Sequence, residues 1–172
     1  GAILGGILGL VWFSKKNKLS FFDLGDVVVL GLSLGEVIGR IGSFFSGSAY
    51  GIASHFPWSV PMIGLLGKRE PVQIYESLAA LGIFFILKKL KKPAGLLFLF
   101  YLLFLSITKF ALEFLRGDSV YFFGWRINQI VSLIFFIVSG VLIYKRLGRT
   151  IRGDISSFWG GAKRRLQNHK KE

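Results

Sequence analysis

Apolar runs recur along the chain, and the segments between them are in turn basic or rich in proline, glycine and serine. Runs at 21–45, 71–87, 95–115 and 124–144 each come close to the about 20 residues a helix needs to cross a roughly 30 Å hydrocarbon core. The first run, 1–13, is too short to span and has no basic leader, so it reads as a truncated helix whose upstream part is missing. The pattern predicts an all-α, polytopic transmembrane helical bundle of about five spans, the first one partial. Gly1, Gly5 and Gly9, and again Gly31, Gly35 and Gly39, repeat at four-residue spacing, which predicts close helix approach on those faces. Pro71 suits the first position of the third span, where its missing N–H costs no intrahelical bond. The segment 46–70 is polar and punctuated by Pro57 and Pro61. It is expected outside, with Tyr50 and Trp58 at the interface.

Composition agrees: the 172 residues are 52% hydrophobic and 16% aromatic, with eighteen Phe against nine acids, which argues against a soluble domain. The formal charge of +13 raises nucleic acid as a partner, but its distribution argues for topology instead. Lys15, Lys16 and Lys18 follow the first run, and Lys88, Lys89, Lys91 and Lys92 follow the third. Lys145, Arg146, Arg149, Arg152, Lys163, Arg164, Arg165, Lys170 and Lys171 follow the last. Sixteen of 22 basic residues thus fall in alternate connections, as the positive-inside rule places them in the cytoplasm. A transmembrane domain, 1–144, and a basic cytoplasmic tail, 145–172, are expected, the tail with Phe158 and Trp159 lying against anionic lipid. No nucleic-acid partner is expected. The absence of cysteine excludes disulfides, a thiol nucleophile and Cys-based metal sites. His55, in a loop, and His169, in the tail, are the two imidazoles.

Charge inside the apolar runs changes the picture. Glu36 is the only charge in 27–38, and Arg40 follows one helical turn later. Ionisable groups at membrane depth cost about 2.5–3.5 kcal/mol on insertion scales, so they face a bundle interior or a wet cavity. The plain account of Arg40 is an i, i+4 pair with Glu36 or snorkelling to the interface. Gln73 and Glu76 enter the third span; Lys109, Glu113 and Arg116, spaced four and three, share one face of the fourth; Arg126 and Asn128 open the fifth. Four helices therefore place polar groups at one depth. Two readings stay open: an internal network in which Glu36, Glu76 and Glu113 satisfy the bases, or a hydrated cavity whose cations take a phosphate.

Four stretches together resemble the prolipoprotein diacylglyceryl transferase family across nearly all of 1–139. The family signature around its central arginine is matched by Gly39, Arg40, Gly42, Phe44 and Gly51, with Ser43 and Ser46 in place of its asparagines and Ser48 in place of its glutamate. PVQIYE, 71–76, resembles the proline, serine, glutamine, leucine, tyrosine, glutamate motif, preceded here by Glu70 where the family has histidine. KFALEFLRGD, 109–118, resembles the arginine, phenylalanine, two residues, glutamate, two residues, arginine stretch, with Lys109 for the first arginine. Asn128, Gln129 and Ser132 fall where the family has glycine, glutamine and serine. The family's histidine-glycine-glycine motif would place its histidine just before Gly1. The chain thus resembles an N-terminally truncated or divergent member.

The resemblance implies a multi-pass enzyme of the bacterial cytoplasmic (inner) membrane. Its reaction moves diacylglyceryl from phosphatidylglycerol to the lipobox cysteine that follows a prolipoprotein signal peptide. It implies Arg40, Lys109, Arg116 and Glu113 as the catalytic set, the cations on the departing phosphate. It implies Arg40, Ser43, Ser46, Gln73, Tyr75, Glu76, Asn128 and Gln129 as substrate contacts. Glu76 or Glu113 stands in for the missing histidine base, and no metal or organic cofactor is implied. Two other classes remain: a catalytically degenerate relative that binds lipid or lipoprotein, and a small channel or transporter. The sequence shows no inverted repeat or interrupted helix pair that would favour the latter.

Overall fold

The structure is a computed structural model; it describes residues 1–62, 64–90, 95–122 and 124–168, the side chains of 2–4 and 149–168 aside. Five α-helices account for most of it: α1 (Ala2–Lys16), α2 (Phe21–Phe45), α3 (Val72–Lys89), α4 (Leu97–Leu112) and α5 (Ile127–Asn168). A 3₁₀ turn, Glu113–Leu115, prolongs α4. Among the described residues two helical stretches are long and apolar enough to cross a membrane, Leu97–Leu115 and Ile127–Gly148. The boundary expected at 144/145 is one of composition, because α5 runs through it unbroken. The lipid contact expected of the tail rests on side chains outside the described residues, among them Arg152, Phe158, Trp159, Lys163, Arg164, Arg165, Lys170 and Lys171. Lys91, Lys92 and His169 also lie outside them.

Helix α2 packs against both α3 and α4, and α5 packs against α4. Val29, Ile83, Leu87 and Tyr101 form the buried core, with Leu30, Leu97, Phe98 and Phe104 around it. The buried residues of α2, Gly25, Val29 and Ser33, are four apart, and those of α3 run Gln73, Glu76, Ser77, Ala80, Ile83, Leu87 at helical spacing. Ser33, Ser106 and Ser139 are buried small residues that satisfy their hydroxyls on their own helix, Ser33 on Leu30 O at 3.0 Å and Ser106 on Leu103 O at 2.8 Å. The glycine stripes behave differently from expectation. A Cβ built at Gly5, Gly9, Gly31, Gly35 or Gly39 would meet nothing within 4 Å among the described residues. The close approach occurs instead at Gly25, where a Cβ would lie 2.9 Å from the Phe98 ring. Spacing defines a face; it does not say which neighbour covers it.

At the start of α4 the Asp26 carboxylate accepts the backbone N–H of Gly95 and, at 2.7 Å, of Phe98. These are N-terminal donors with no partner in their own helix, so an acid on α2 caps α4 and favours the positive end of its dipole. Arg146 of α5 lies over the Phe22 ring, 4.1 Å from its centre.

At the other end the 46–70 segment is an ordered strap. The pair β1 (Val60–Pro61) and β2 (Lys68–Arg69) forms an antiparallel hairpin. Residues 50–54 are hydrogen-bonded on both edges: Ile52 N to Leu115 O at 2.9 Å and Gly117 N to Tyr50 O at 3.0 Å on one side, Glu70 N to Ile52 O at 3.1 Å and Ser54 N to Lys68 O at 3.0 Å on the other. The fit is tight. A Cβ on Gly51 would strike the Glu70 carbonyl and sit 2.8 Å from both Glu70 Cβ and Val72 Cγ2, and one on Gly117 would sit 2.6 Å from Gly51 O. A second hairpin, β3 (Tyr121–Phe122) with β4 (Trp125–Arg126), turns at Gly124 with φ +79. It occupies the start expected for the fifth span, so that helix begins at Ile127 and Arg126 is extended rather than helical.

Gly51→Ala should lower the unfolding temperature of the purified chain, because the new methyl is opposed by backbone and overpacking costs about 1–3 kcal/mol. Gly31→Ala, with open space around it and a helical backbone, should leave it unchanged or raise it. Thermal melts of both variants in detergent check the contrast.

Candidate functional site

The polar residues of the site continue the core-facing stripes of three helices. On α2 the stripe of Gly25, Val29 and Ser33 leads on to Glu36, Val37 and Arg40; on α3 Glu76 lies in the buried row itself; on α4 Lys109 follows buried Ser106 by three. Ser77 pins α3 to α2 beside them, its hydroxyl donating to Val37 O at 3.1 Å. A glutamate at a core position needs partners, and Glu76, with 3% of its side chain exposed, has three cations. Arg40 Nη1 is 2.8 Å from its Oε2; Lys109 Nζ and Arg116 Nη1 are 3.2 and 3.8 Å from its Oε1.

Glu36 is a second bridge. Its Oε1 is 3.6 Å from Arg40 Nε, the i, i+4 contact expected from spacing, but only 2.6 Å from Lys109 Nζ on α4. Its other oxygen accepts from the Tyr101 hydroxyl at 3.5 Å. Arg116 is gripped on both tines by Asp118, Nε to Oδ1 at 3.0 Å and Nη2 to Oδ2 at 2.8 Å. Glu113, 3% exposed, lies 3.9 Å from Arg116 Nε and takes Asn128 Nδ2 at 3.1 Å on the same Oε2. Its Oε1 is buried without a partner among the described residues. Arg126 reaches the Glu113 carbonyl and lies over the rings of Phe114 and Tyr121.

Arg40, Glu76, Lys109, Glu113, Arg116 and Asn128 thus meet in one cluster, in which the carboxylates of Glu76 and Glu113 are buried and the three cations are partly exposed. The side chains of Arg40, Lys109 and Arg116 keep 25%, 22% and 18% exposure, against 3% for Glu76 and Glu113. The guanidinium of Arg40 and the ammonium of Lys109 each retain N–H groups beyond those spent on Glu36 and Glu76.

The other candidates are elsewhere or otherwise engaged. Ser43 is on α2 three residues past Arg40, whereas the Ser46 hydroxyl closes the end of α2 on Ser43 O at 3.2 Å. Gln73 is buried, its amide donating to Ala49 O while its Oε1 has no described partner; Gln129 Nε2 is likewise buried and unpartnered. Tyr75 turns to the strap and donates to Glu70 Oε2 at 2.6 Å; Ser59 donates to Oε1 at 3.3 Å. Hydrogen bonds from Ser54 first, then Tyr75, hold the Glu70 pKa below its ordinary 4.5. A depressed carboxylate pKa stabilises the fold above the ordinary value and is lost as pH falls through the folded one. This lock is therefore complete at neutral pH and opens only in acid below 4.5.

Two members of the cluster had no clear sequence signal. Tyr101 sits in an apolar run and reads as core. Asp118 reads as a turn residue, yet Arg116 is extended (ψ 133), so positions i and i+2 point the same way and the two side chains meet.

A family model described as prolipoprotein diacylglyceryl transferase matches residues 1–145. Curated relatives named phosphatidylglycerol–prolipoprotein diacylglyceryl transferase are similar over most of the chain. That of Clostridioides difficile (strain 630) is 35% identical over 159 residues, 91% of this chain and 63% of the relative. That of Finegoldia magna is 34% identical over 161 residues, 89% and 64%, and that of Acaryochloris marina is 41% identical over 149 residues, 78% and 54%. The chain therefore spans between about half and a little under two thirds of the length of these relatives, 54% to 64%. A match over residues 1–145, with relatives at this level of identity, means that the chain belongs to the prolipoprotein diacylglyceryl transferase family.

Proposed function

We propose that this chain carries the headgroup end of a transferase that moves diacylglyceryl from phosphatidylglycerol to the lipobox cysteine thiol following a prolipoprotein signal peptide. The observation that carries the reading is the cluster itself: Arg40 and Lys109, from two helices, share the carboxylates of Glu36 and Glu76 and, among the described residues, have further N–H groups without a partner. The names of the relatives supply the substrates.

In the proposed step the cysteine sulfur attacks the glycerol carbon of the diacylglyceryl group. The S–C bond forms, the C–O bond to phosphate breaks with its electron pair leaving on oxygen, and glycerol phosphate departs. Negative charge grows on that oxygen, so a preorganised cation is worth most there. Arg40 offers planar donors and Lys109 a point charge. Arg116, clasped by Asp118 and 3.8 Å from Glu76, is proposed as the supporting cation behind Arg40 and Lys109. A thiol of ordinary pKa about 8.5 needs a base near neutral pH. Glu76 has both oxygens committed to cations, so Glu113, whose buried Oε1 has no partner among the described residues, is the acid proposed to take the thiol proton. Asn128 orients Glu113 through its Oε2. Ser43 and Gln129 are the remaining proposed headgroup contacts.

The helices are proposed to cross the bacterial inner membrane about five times, with 46–70 outside and the basic tail at anionic lipid inside. An impermeant maleimide on intact cells should label Ser54→Cys and not Lys163→Cys; the opposite pattern inverts the orientation.

Arg40→Gln, in the full-length protein, should lower transfer of labelled diacylglyceryl to a lipobox peptide by a factor of about 100 or more. Arg40→Lys should fall between, since it keeps charge and loses the fork. Parent-level turnover in Arg40→Gln removes Arg40 from the mechanism. A full-length parent that binds phosphatidylglycerol without turnover points to a binding-only relative.

A further inference from the structure

Arg40 and Lys109 lie on different helices, and what joins them is Glu36. Both cations contact the same oxygen, Glu36 Oε1, at 3.6 and 2.6 Å. The shorter distance is to the lysine, so the residue that reads in sequence as the i, i+4 partner of Arg40 is first of all the partner of Lys109. Its second oxygen lies 3.5 Å from the Tyr101 hydroxyl, a long contact from the same helix as Lys109. A lysine ammonium is a compact charge on a flexible four-carbon stem and carries no orientation of its own; a guanidinium is a planar fork that does. Glu76 accepts an ammonium N–H at 3.2 Å and Glu36 pairs with the same ammonium at 2.6 Å, so the two carboxylates together fix where the charge sits.

We infer that Glu36 is a positioning residue: its carboxylate, steadied by Tyr101, aims the Lys109 ammonium beside the Arg40 guanidinium so that the two cations act on one phosphate. The inference rests on the phosphate reading of the cluster given above. It makes Glu36 necessary because residue 109 is lysine. An arginine at 109 would orient its own donors on Glu76 and depend on Glu36 far less.

The test uses the full-length protein with four genotypes: parent, Glu36→Gln, Lys109→Arg and the double variant. Two readouts are taken: transfer from phosphatidylglycerol to a lipobox peptide, and calorimetric binding of short-chain phosphatidylglycerol in detergent. Misplacing a reacting group by about 1 Å costs on the order of 100-fold, so Glu36→Gln should lower kcat about 10- to 100-fold with KM for the peptide unchanged. It should also weaken lipid binding. Lys109→Arg should restore most of both losses in the Glu36→Gln background. A purely structural role for Glu36 predicts no such rescue. Equal losses with and without Lys109→Arg, or no loss in Glu36→Gln, overturn the inference. If the parent binds the lipid but transfers nothing, the transferase reading falls and the binding series alone decides the role of Glu36. If the parent binds no lipid, both fall. Should Glu36→Gln not yield a monodisperse protein, Tyr101→Phe keeps the charge and removes the steadying hydroxyl. It should give a smaller loss in the same direction, abolished by Lys109→Arg.

Discussion

Three cations share one buried carboxylate, and that arrangement sets much of the rest. Arg40 at 2.8 Å from Glu76 is worth about 6 kcal/mol of attraction at an effective dielectric of 20. Taking each ion out of water costs several kcal/mol in return, so the net gain in stability is small. Removal is another matter: deleting one partner of a buried pair costs about 3–5 kcal/mol, because the remaining charges are left uncompensated. Glu76 therefore acts less as glue than as a register mark. A slip of one helical turn, about 5.4 Å, between α2, α3 and α4 would leave Arg40, Lys109 and Arg116 facing one another without it.

The register is enforced at both ends of the bundle. Asp26 on α2 caps the first turn of α4, and Arg40 lies fourteen residues on, about 21 Å along the same helix. Helix α4 is thus tied to α2 at its start through backbone N–H groups and near its end through Lys109 on Glu36. The strap completes the restraint, since pairing of Gly51 with Arg116 fixes the backbone that carries the Arg116 side chain. Gly51 and Gly117 allow that contact because neither has a side chain to hold the strands apart. The extended backbone in turn lets Asp118 reach Arg116.

The limits of α2, Phe21–Phe45, coincide with those expected, because Ser20 before it and Ser46 with Gly47 at φ +63 after it are local stop signals. The starts of α3 and α4 fall within two residues of expectation for the same kind of reason. The hairpin at 121–126 escaped because a two-residue strand has no period and its residues are apolar enough to extend the next helix. Charges in apolar runs made Arg40, Glu76, Lys109, Glu113 and Arg116 legible as site candidates. Their pairing was not legible, since it depends on how helices are rotated about their axes: Glu36 sits closer to Lys109, 73 positions away, than to its own neighbour Arg40. Asp26 is the clearest case. Its partners are 69 and 72 residues distant, so no local pattern announces a cap.

A site meant to meet a phosphate could hold bare cations, and the Arg40, Lys109 and Arg116 cluster does not. Cations without counter-ions cannot be kept in an apolar surround while the site is empty, and Glu36, Glu76, Glu113 and Asp118 offset them. Each acid neutralises and also aims. A phosphodiester reaching the outer N–H groups of Arg40 and Lys109, as proposed, would meet oriented donors with no excess positive charge behind them, since four carboxylates stand against three cations. For the reaction proposed above, ground-state binding would be correspondingly modest, while the fixed donors would keep their full value for the extra charge that develops as the C–O bond breaks. On the proposed reaction this is the favourable division. The departing glycerol phosphate carries more charge than the lipid it came from, and a strongly positive pocket would hold it; carboxylates already in contact with the same nitrogens compete for them and favour its release.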